Sequence, residues 1–408
     1  MSDGWLTAGD LRSTAAPHRD GGNTHRDILR AWILAASLVA ACGVVLFGLA
    51  AFKVLAIAIL SAILSDCAVG IATRRPVIGG LSHACLTGLL LGLMLPATVD
   101  WFVPMFGSLV AVILAKGLFG GLGHYVWQPA VVGRVVVQFL FKRQLSLSTT
   151  LVLSPVLAPG HLLVGDLDPG RARPVNLTTY RGWSANDEPV LAEAWKMERP
   201  VQALRRFAEG EIPPESEDGL ERPLRFEPLL RDALPPWSDT LFGTVPGAIG
   251  ETCGLAIIVA GLYLMYRGYL RWQLPVAMLA SAALAAAVLP VETSGAPNRY
   301  LWLPVLELEQ GVSQVRAVGL AYVLYHLTSG QLLLAAFLLS GDMIALPMRA
   351  RGQLIFGAGV GLLTIFMRLY GHLEGESYWG ILVMNWLAAP IDRWTRRPIL
   401  GLAASGTA

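Results

Sequence analysis

Glu251 is the side chain best placed to do chemistry, since it is the lone acid in a glycine-rich turn that leads straight into an apolar span. The turn reads GTVPGAIGETCG from Gly243, and the span ends at Arg267 and Arg271. A carboxylate driven to the middle of a bilayer costs roughly 2.5–3.5 kcal/mol, so it is usually bound by a partner or a ligand. The alternative is that Glu251 only complements the positive end of a helix dipole.

Other charged residues lie in or at the ends of apolar stretches, where a charge normally needs a partner or water. They are Asp66, Arg134, Asp342 and Arg368. We expect Arg134 and Arg368 to extend to the membrane interface or to contact a neighbouring subunit. The alternative for Asp66 is that it simply ends its span near Arg74.

Metal or haem ligation is the less favoured interpretation of the histidines, because they lie at the ends of separate spans with no paired spacing on one helix face. These are His83, His124, His326 and His372. The four cysteines fit neither a zinc site nor a CxxC pair. The sequence contains no P-loop, no dinucleotide-binding glycine fingerprint and no iron–sulfur cysteine set. No metal site is therefore predicted.

The elements that must position these residues are membrane helices. The chain has 408 residues, of which 54% are hydrophobic and 15% charged, and its mean hydropathy is +0.55. Apolar runs approaching the ~20 residues needed to cross a bilayer recur along its length. The net charge of +2 and the lack of a dense lysine and arginine run argue against nucleic acid as a partner. The sequence predicts an all-α polytopic membrane protein in a lipid bilayer.

Ten transmembrane spans are predicted, three of them short or interrupted by glycine, as in broken helices. They are Ile28–Phe47, Ala50–Ile71, Gly79–Leu95, Val103–Phe119, Pro129–Phe141, Ala248–Tyr269, Leu274–Leu289, Val315–Leu339, Leu354–Tyr370 and Tyr378–Pro390. Arginines follow alternate spans, as at Arg74, Arg267 and Arg349. Because cytoplasmic loops are enriched in lysine and arginine, both termini are predicted to be cytoplasmic.

This arrangement divides the chain into five segments. We expect a cytoplasmic tail, a first five-helix repeat, an irregular extracytoplasmic insertion, a second five-helix repeat and a second cytoplasmic tail, at 1–27, 28–142, 143–246, 247–398 and 399–408. The insertion is predicted to contain short β-like pieces and one surface helix within AEAWKMERPVQALRRFAEG.

A short internal sequence similarity supports the two repeats. TGLLLG, from Thr87 to Gly92, resembles SGQLLLA, from Ser329 to Ala335. Two halves of five spans must insert with opposite orientations, and inverted repeats of this kind place a functional site near the midplane where they meet. Chance similarity between leucine-rich spans is the alternative.

Several blocks together resemble one family, the large membrane subunit of the Rnf and Nqr electron-transport complexes. The blocks are TGLLLGLMLP (Thr87–Pro96), KGLFGGLG (Lys116–Gly123), QPAVVG (Gln128–Gly133), the stretch Pro246–Val276, RGQLIFGAGVGLLTIFMRLYG (Arg351–Gly371) and ILVMNWLAAPIDRWTRRP (Ile381–Pro398). They occur in the family's order and cover most of both membrane halves.

The resemblance implies a ten-span scaffold that carries flavin at the outer side of a bacterial inner membrane. It also implies partner membrane and peripheral redox subunits, and coupling of electron transfer to sodium or proton movement. Gly247, Gly250, Glu251 and Thr252 become candidates for binding a non-covalent flavin, either FMN or riboflavin. Asp66 and Asp342 become candidates for an ion path.

The family's covalent FMN is attached to a threonine in an S-G-A-T motif. The corresponding stretch here reads WSANDEPVL and places Glu188 at the threonine position. Since a carboxylate cannot replace the hydroxyl in that phosphodiester, we expect no covalent FMN. The only other partial match, SGAP from Ser294, lies in a different loop and ends in proline.

The sequence therefore predicts a membrane subunit of a redox-driven ion-translocating complex, rather than an enzyme by itself. Two alternatives stay open. One is a stand-alone secondary transporter built from inverted repeats, and the other is a cofactor-free subunit that anchors a redox assembly.

Overall fold

The structure, a computed structural model, is mostly helical. It describes residues 24–74, 81–121, 123–146, 199–209, 237–243, 247–292, 300–306, 315–342, 344–371 and 374–395, the strand segments 150–153, 162–163, 173–174, 195–196 and 308–310, and residues 229, 234 and 245. Glu188 and His372 lie outside the described residues.

The first helix, α1, runs from His25 to Ala72 and begins with a capping box in which Thr24 and Asp27 bond each other's backbone. Its 48 residues would extend about 72 Å as one straight helix, far more than the ~30 Å hydrocarbon core of a bilayer. Gly48 divides it, with φ 66° and ψ −147°. This break coincides with the boundary predicted between the first two spans.

The remaining helices follow in chain order. They are α2 (Leu81–Leu93), α3 (Phe102–Val110) with a π-helical continuation (Ala111–Gly117), α4 (Pro129–Leu140), α5 (Lys142–Ser146), α6 (Pro200–Ala208), α7 (Trp237–Phe242), α8 (Gly254–Tyr266), α9 (Gln273–Val288), α10 (Val318–Thr328), α11 (Leu332–Leu334) with a π-helical continuation (Ala335–Leu339), α12 (Ala350–Tyr370) and α13 (Glu376–Trp394).

Two helices in the described part of the chain, α1 and α12, are long and apolar enough to cross a membrane. A third crossing is possible where α10 and the α11 segment, bent by 58° relative to each other, form one broken span. Five further apolar helices are shorter, at 10–17 residues. The span predicted over Val315–Leu339 is therefore not one continuous helix, since it also begins with strand β8 (Val315–Ala317).

Helix pairs approach closely through small residues. A Cβ added at Gly361 in α12 would lie 2.1 Å from the carbonyl oxygen of Met278 in α9. Lipid tails are as apolar as leucine, so membrane helices gain little from the hydrophobic effect and associate through such close packing. Glycine at this position lets α9 and α12 pack backbone to backbone.

The segment between α5 and α8 contains the predicted strands and helix. Strand β1 (Thr150–Leu153) pairs antiparallel with β2 (Leu162–Leu163) and β4 (Trp195–Lys196), and β3 (Arg173–Pro174) pairs parallel with β4. The predicted helix is present as α6, which buries one face through Ala203, Leu204 and Phe207. Two short hairpins lie further along, β5 (Val291–Glu292) with β6 (Tyr300–Leu301) and β7 (Leu308–Gln310) with β8.

Candidate functional site

The glycine-rich turn before α8 packs against the end of α2. Gly250 donates its backbone N–H to the carbonyl of Leu93 at 2.8 Å, and Ile249 donates to Leu95 at 3.0 Å. Leu93 is the last residue of α2 and Leu95 lies just beyond it, where carbonyls have no donors from within the helix. A Cβ on Gly250 would lie 2.7 Å from the Cβ of Leu93. Gly250 is thus required by contact with the protein's own backbone.

Arg134 in α4 caps the carbonyl of Met94, which lies between Leu93 and Leu95. Its Nε donates to the oxygen of Met94 at 2.9 Å, and its Nη1 donates to Oε1 of Gln138 at 3.1 Å. Gln138 in turn donates to the backbone carbonyl of Glu374. The guanidinium also lies 5.4 Å from the centre of the Tyr378 ring, within the range of a cation–π contact. Arg134 therefore joins α2, α4 and the start of α13.

Glu251 is 8% exposed and has two donors. Its Oε1 accepts from the hydroxyl of Tyr378 at 2.7 Å, and its Oε2 accepts from the backbone N–H of Ala248 at 3.3 Å. Glu251 precedes α8, so it lies where the positive end of that helix dipole would stabilise it. The ligand interpretation and the dipole interpretation both remain compatible with this geometry.

A small charged pocket opens beside Glu251. Its volume is about 40 Å³, and α6 covers it with Arg205, which pairs with Glu376 at 2.6 Å. The other lining side chains include Arg199, Gln202, Thr240, Thr252, Ser329, Gln331 and Glu374. Within the described part of the chain, the hydroxyls of Thr252 and Ser329 are buried without a hydrogen-bond partner. The pocket is polar and large enough for water or a small ion.

The space that the described residues enclose at this turn is smaller than a typical small-molecule site. Small-molecule sites typically enclose about 300–1,000 Å³, far more than the volume of this pocket. Gly247 lines the pocket, and a Cβ there would meet Thr252 at 3.2 Å. The four predicted flavin-binding residues lie together in one turn, and flavin binding there stays a prediction.

Arg368 in α12 donates hydrogen bonds to the carbonyls at the break between α10 and α11. It donates from Nη1 to the carbonyl of His326 at 2.7 Å and from Nη2 to the carbonyl of Ser329 at 3.3 Å. Arg368 is 0% exposed and Arg134 is 3% exposed. The expectation that these arginines extend to the interface or reach a neighbouring subunit is wrong, because each is buried against the carbonyls of an interrupted helix.

Asp66 is paired with a buried lysine. Its Oδ1 lies 2.6 Å from Nζ of Lys116, and the two side chains are 11% and 6% exposed. Lys116 is in the π-helical segment that continues α3. Such π-helical turns are frequent at functional sites. Asp66 therefore does more than end its span, because it compensates a charge on another helix.

Asp342 lies in the loop between the π-helical segment after α11 and α12, where it accepts from the hydroxyl of Tyr125 at 3.1 Å. That hydroxyl also lies 2.9 Å from Nε2 of His83 in α2. These three residues line a cavity of about 150 Å³ that shares no lining residue with the pocket at Glu251. The structure thus distributes the sequence candidates over three places: the turn at Glu251, the Asp66 pair and this cavity.

The sequence did not predict the tyrosines that contact Glu251 and Asp342. Tyr378 and Tyr125 each lie just outside or at the start of a helix, at positions that an aromatic belt also explains. The available signal was a tyrosine adjacent to a turn that also carries polar residues. Among the described residues no group of three histidine, cysteine, aspartate or glutamate side chains could bind a metal ion.

Comparison with known proteins gives a consistent result. A family model described as the NQR2, RnfD, RnfE family matches residues 12–401. The chain is 28% identical over 395 residues to a subunit of the ion-translocating oxidoreductase complex of Halorhodospira halophila, covering 96% of both chains. It is 26% identical to a subunit of the proton-translocating ferredoxin:NAD(+) oxidoreductase complex of Clostridium ljungdahlii, over 97% of this chain and 98% of that one. The counterpart from the Na(+)-translocating complex of Acetobacterium woodii is also 26% identical, over 96% of both chains.

Proposed function

Because the chain belongs to the NQR2, RnfD, RnfE family, we propose that it is an integral membrane subunit of an Rnf/Nqr-like complex that couples electron transfer to the movement of Na⁺ or H⁺. The observation that carries the proposal is the family match over residues 12–401. The relatives named above are subunits of ion-translocating oxidoreductases and align over nearly their full lengths. In this role the chain works as part of an assembly with other membrane and peripheral redox subunits.

The proposed architecture has ten spans in two inverted repeats. Its support is the helix pattern: α1 divides at Gly48, α10 and α11 form one bent pair, and five apolar helices are 10–17 residues long. A helix of 13 residues such as α2 extends only about 20 Å, so it crosses part of a bilayer and must be completed by other backbone. Buried caps of the kind supplied by Arg134 and Arg368 satisfy the backbone groups that such half-helices expose.

The proposed location is a bacterial inner membrane, with both termini in the cytoplasm and the segment 143–246 outside. The support is the distribution of arginine. Arg74 follows α1, Arg267 and Arg271 follow α8, and Arg349 precedes α12. An excess of arginine in these short connections favours their cytoplasmic placement.

Buried ionisable side chains at the ends of helices mark ion pathways in membrane proteins, and this chain has several. Asp66 and Asp342 are the carboxylates that we assign to such a path. Each is contacted by a side chain from a different helix or loop: Lys116 and Tyr125, respectively. Non-covalent flavin binding near Glu251 stays a prediction from the family resemblance.

The test is purification of the tagged chain from its native membrane, followed by reconstitution of what copurifies into vesicles. We expect redox subunits in the preparation and donor-driven Na⁺ or H⁺ movement across the vesicle membrane. A chain that purifies alone and moves a solute without redox partners would favour a stand-alone transporter. A structural anchor would be favoured by two results together. The complex would move no ion, and its redox activity would be unchanged after this chain is removed.

A further inference from the structure

The cavity next to Asp342 lies near the beginning of α1. Four residues from the first turns of that helix, His25, Ile28, Leu29 and Trp32, form one of its walls. His83, Thr87 and Leu90 of α2 form a second wall, and the loop before α4 contributes Tyr125 and Gln128. A chain of close contacts connects His83, Tyr125 and Asp342 along this lining. No site predicted from the sequence included His83 or Tyr125.

The hydrogen bonds around His83 define where its protons can lie. Thr87 donates its only hydroxyl proton to the backbone carbonyl of His83 at 2.8 Å. The oxygen of Thr87 lies 3.4 Å from Nδ1 of His83, and it can only accept there. On this contact we assign the proton of the neutral ring to Nδ1, which leaves Nε2 as the atom that exchanges a proton.

Tyr125 connects that nitrogen to the acid. When Asp342 is ionised, Tyr125 donates to its Oδ1 and must accept from a protonated Nε2 of His83. When Asp342 is protonated, it donates to the oxygen of Tyr125, which then donates to Nε2 of neutral His83. The two arrangements contain the same number of protons. They differ by one proton moved from Nε2 to Asp342, with Tyr125 passing on one proton as it receives another.

Gln128 supplies a second, independent sign that the cavity takes a polar occupant. The side chain is 4% exposed and lines the cavity, and among the described residues its Oε1 is buried without a donor. A buried amide oxygen without a partner is costly, so a donor is expected to fill the adjacent space. The volume of about 150 Å³ accommodates several waters at ~30 Å³ each.

We propose that His83, Tyr125 and Asp342 form a proton relay, fed by water in this cavity, and that the ion moved by this chain is the proton. The inference rests on the proposed function of the chain as a subunit of an ion-translocating complex. It specifies the ion, which the relatives leave open because one is named for protons and another for sodium. Proton conduction in membrane proteins uses chains of acid and histidine side chains of this kind.

The surrounding charges favour a proton over a sodium ion. Among the described residues, His25 and Lys116 are the basic groups that act on His83, and Lys116 is itself paired with Asp66. Among the described lining residues Asp342 is the one carboxylate, and it accepts from Ile344 N–H as well as from Tyr125. A hard cation requires a cluster of oxygen ligands, whereas this cavity offers one acid beside donors and bases.

The experiment uses the whole complex in sealed vesicles, with reduced viologen as electron donor and NAD⁺ as acceptor. NADH formation, internal pH and Na⁺ uptake are recorded together, in sodium-containing and sodium-free buffer. We expect proton movement in both buffers. Tyr125→Phe and Asp342→Asn should each lower its rate roughly tenfold or more, as loss of a positioned proton-transfer group does. Tyr266→Phe, at a tyrosine that is 89% exposed, is the matched control and should not change it.

The outcomes separate the relay from the broader function. Sodium uptake that persists when a protonophore collapses the pH change, or unchanged proton movement in Tyr125→Phe, would overturn the relay and leave the complex an ion pump. Electron transfer without movement of either ion by the native complex would instead refute the proposed function. If the variants do not assemble, infrared spectra of the native complex are recorded during a pH titration. The relay predicts that the band of one protonated carboxyl changes together with a tyrosine band and a histidine band. Absence of this joint change would overturn the relay.

Discussion

Tyr378 donates its hydroxyl to Oε1 of Glu251 at 2.7 Å, and this contact joins the turn before α8 to the first turn of α13. The ring of the same tyrosine lies 5.4 Å from the guanidinium carbon of Arg134. Tyr378 therefore stands between a buried acid and a buried base. Its hydroxyl donates to the acid while its ring face contacts the base, so one side chain connects Glu251 to Arg134.

Tyr378→Phe should destabilise the protein, because it removes the side-chain donor that the structure gives to Glu251. Leaving a buried acceptor unsatisfied costs about 1–3 kcal/mol, and more when the acceptor is charged. Thermal unfolding of the purified chain in detergent measures the loss. Tyr266→Phe is the control, since the Tyr266 side chain is exposed. If both variants unfold at the native temperature, the contact with Glu251 contributes nothing to stability.

Gly250→Ala should also destabilise the protein, through crowding. The added methyl would lie 2.7 Å from the Cβ of Leu93 and 3.0 Å from its carbonyl oxygen, so the turn must move away from α2. Forcing an extra methyl into a packed contact typically costs about 1–3 kcal/mol. The comparison is with Gly254→Ala, four residues later, where the nearest atoms are 3.3 Å away and belong partly to the side chain of Leu333. Equal unfolding temperatures for the two variants would contradict this account.

The Asp66 and Lys116 pair should behave as a coupled unit. Removing one partner, in Asp66→Ala or Lys116→Met, leaves an uncompensated buried charge and costs about 3–5 kcal/mol. The double variant removes both charges and should recover much of that loss, which thermal unfolding of all three chains will test. Lys53→Met, at an exposed position in α1, is the control for loss of a lysine alone. Additive losses in the double variant would mean that the two charges do not interact.

The same variants separate a structural role of Asp66 from a role in ion movement. If the pair only stabilises the helices, the double variant should assemble and translocate ions normally. If Asp66 is part of an ion path, the double variant should assemble and lose ion movement. Ion uptake by vesicles that contain the whole complex distinguishes these results.

The helices could be predicted from the sequence because apolar runs and their boundaries are local properties. Gly48 divides α1 where the first two spans were predicted to meet, and α6 occupies the predicted helix in the insertion. The burial of Glu251 was also foreseeable, since the acid stands alone in an otherwise apolar turn.

The buried arginines could not be predicted, because their positions depend on which carbonyls other helices leave unsatisfied. Arg134 and Arg368 each cap carbonyls at the end or the interruption of a different helix. The contact of His83 with Tyr125 spans 42 residues and that of Tyr125 with Asp342 spans 217. No spacing rule relates residues at such separations, so only the folded chain shows them together.

Asp342 should make the stability of the protein depend on pH. Burial raises the pKa of its carboxyl from the usual 3.8 to about 6, so the folded protein binds this proton more tightly than the unfolded chain. The stabilisation is fully present below about pH 4 and is lost as the pH rises through about 6. The change is worth about 3 kcal/mol.

Asp342→Asn removes this titration, so the unfolding free energy of the native chain should fall relative to the variant between about pH 4 and pH 7. Chemical unfolding in detergent at a series of pH values measures the difference. Asp100→Asn, at an exposed aspartate, is the control for loss of a surface carboxyl. A difference between the native chain and Asp342→Asn that stays constant across this range would show that the carboxyl of Asp342 is not desolvated in the folded protein. A fall seen relative to Asp342→Asn but not relative to Asp100→Asn would confirm its environment.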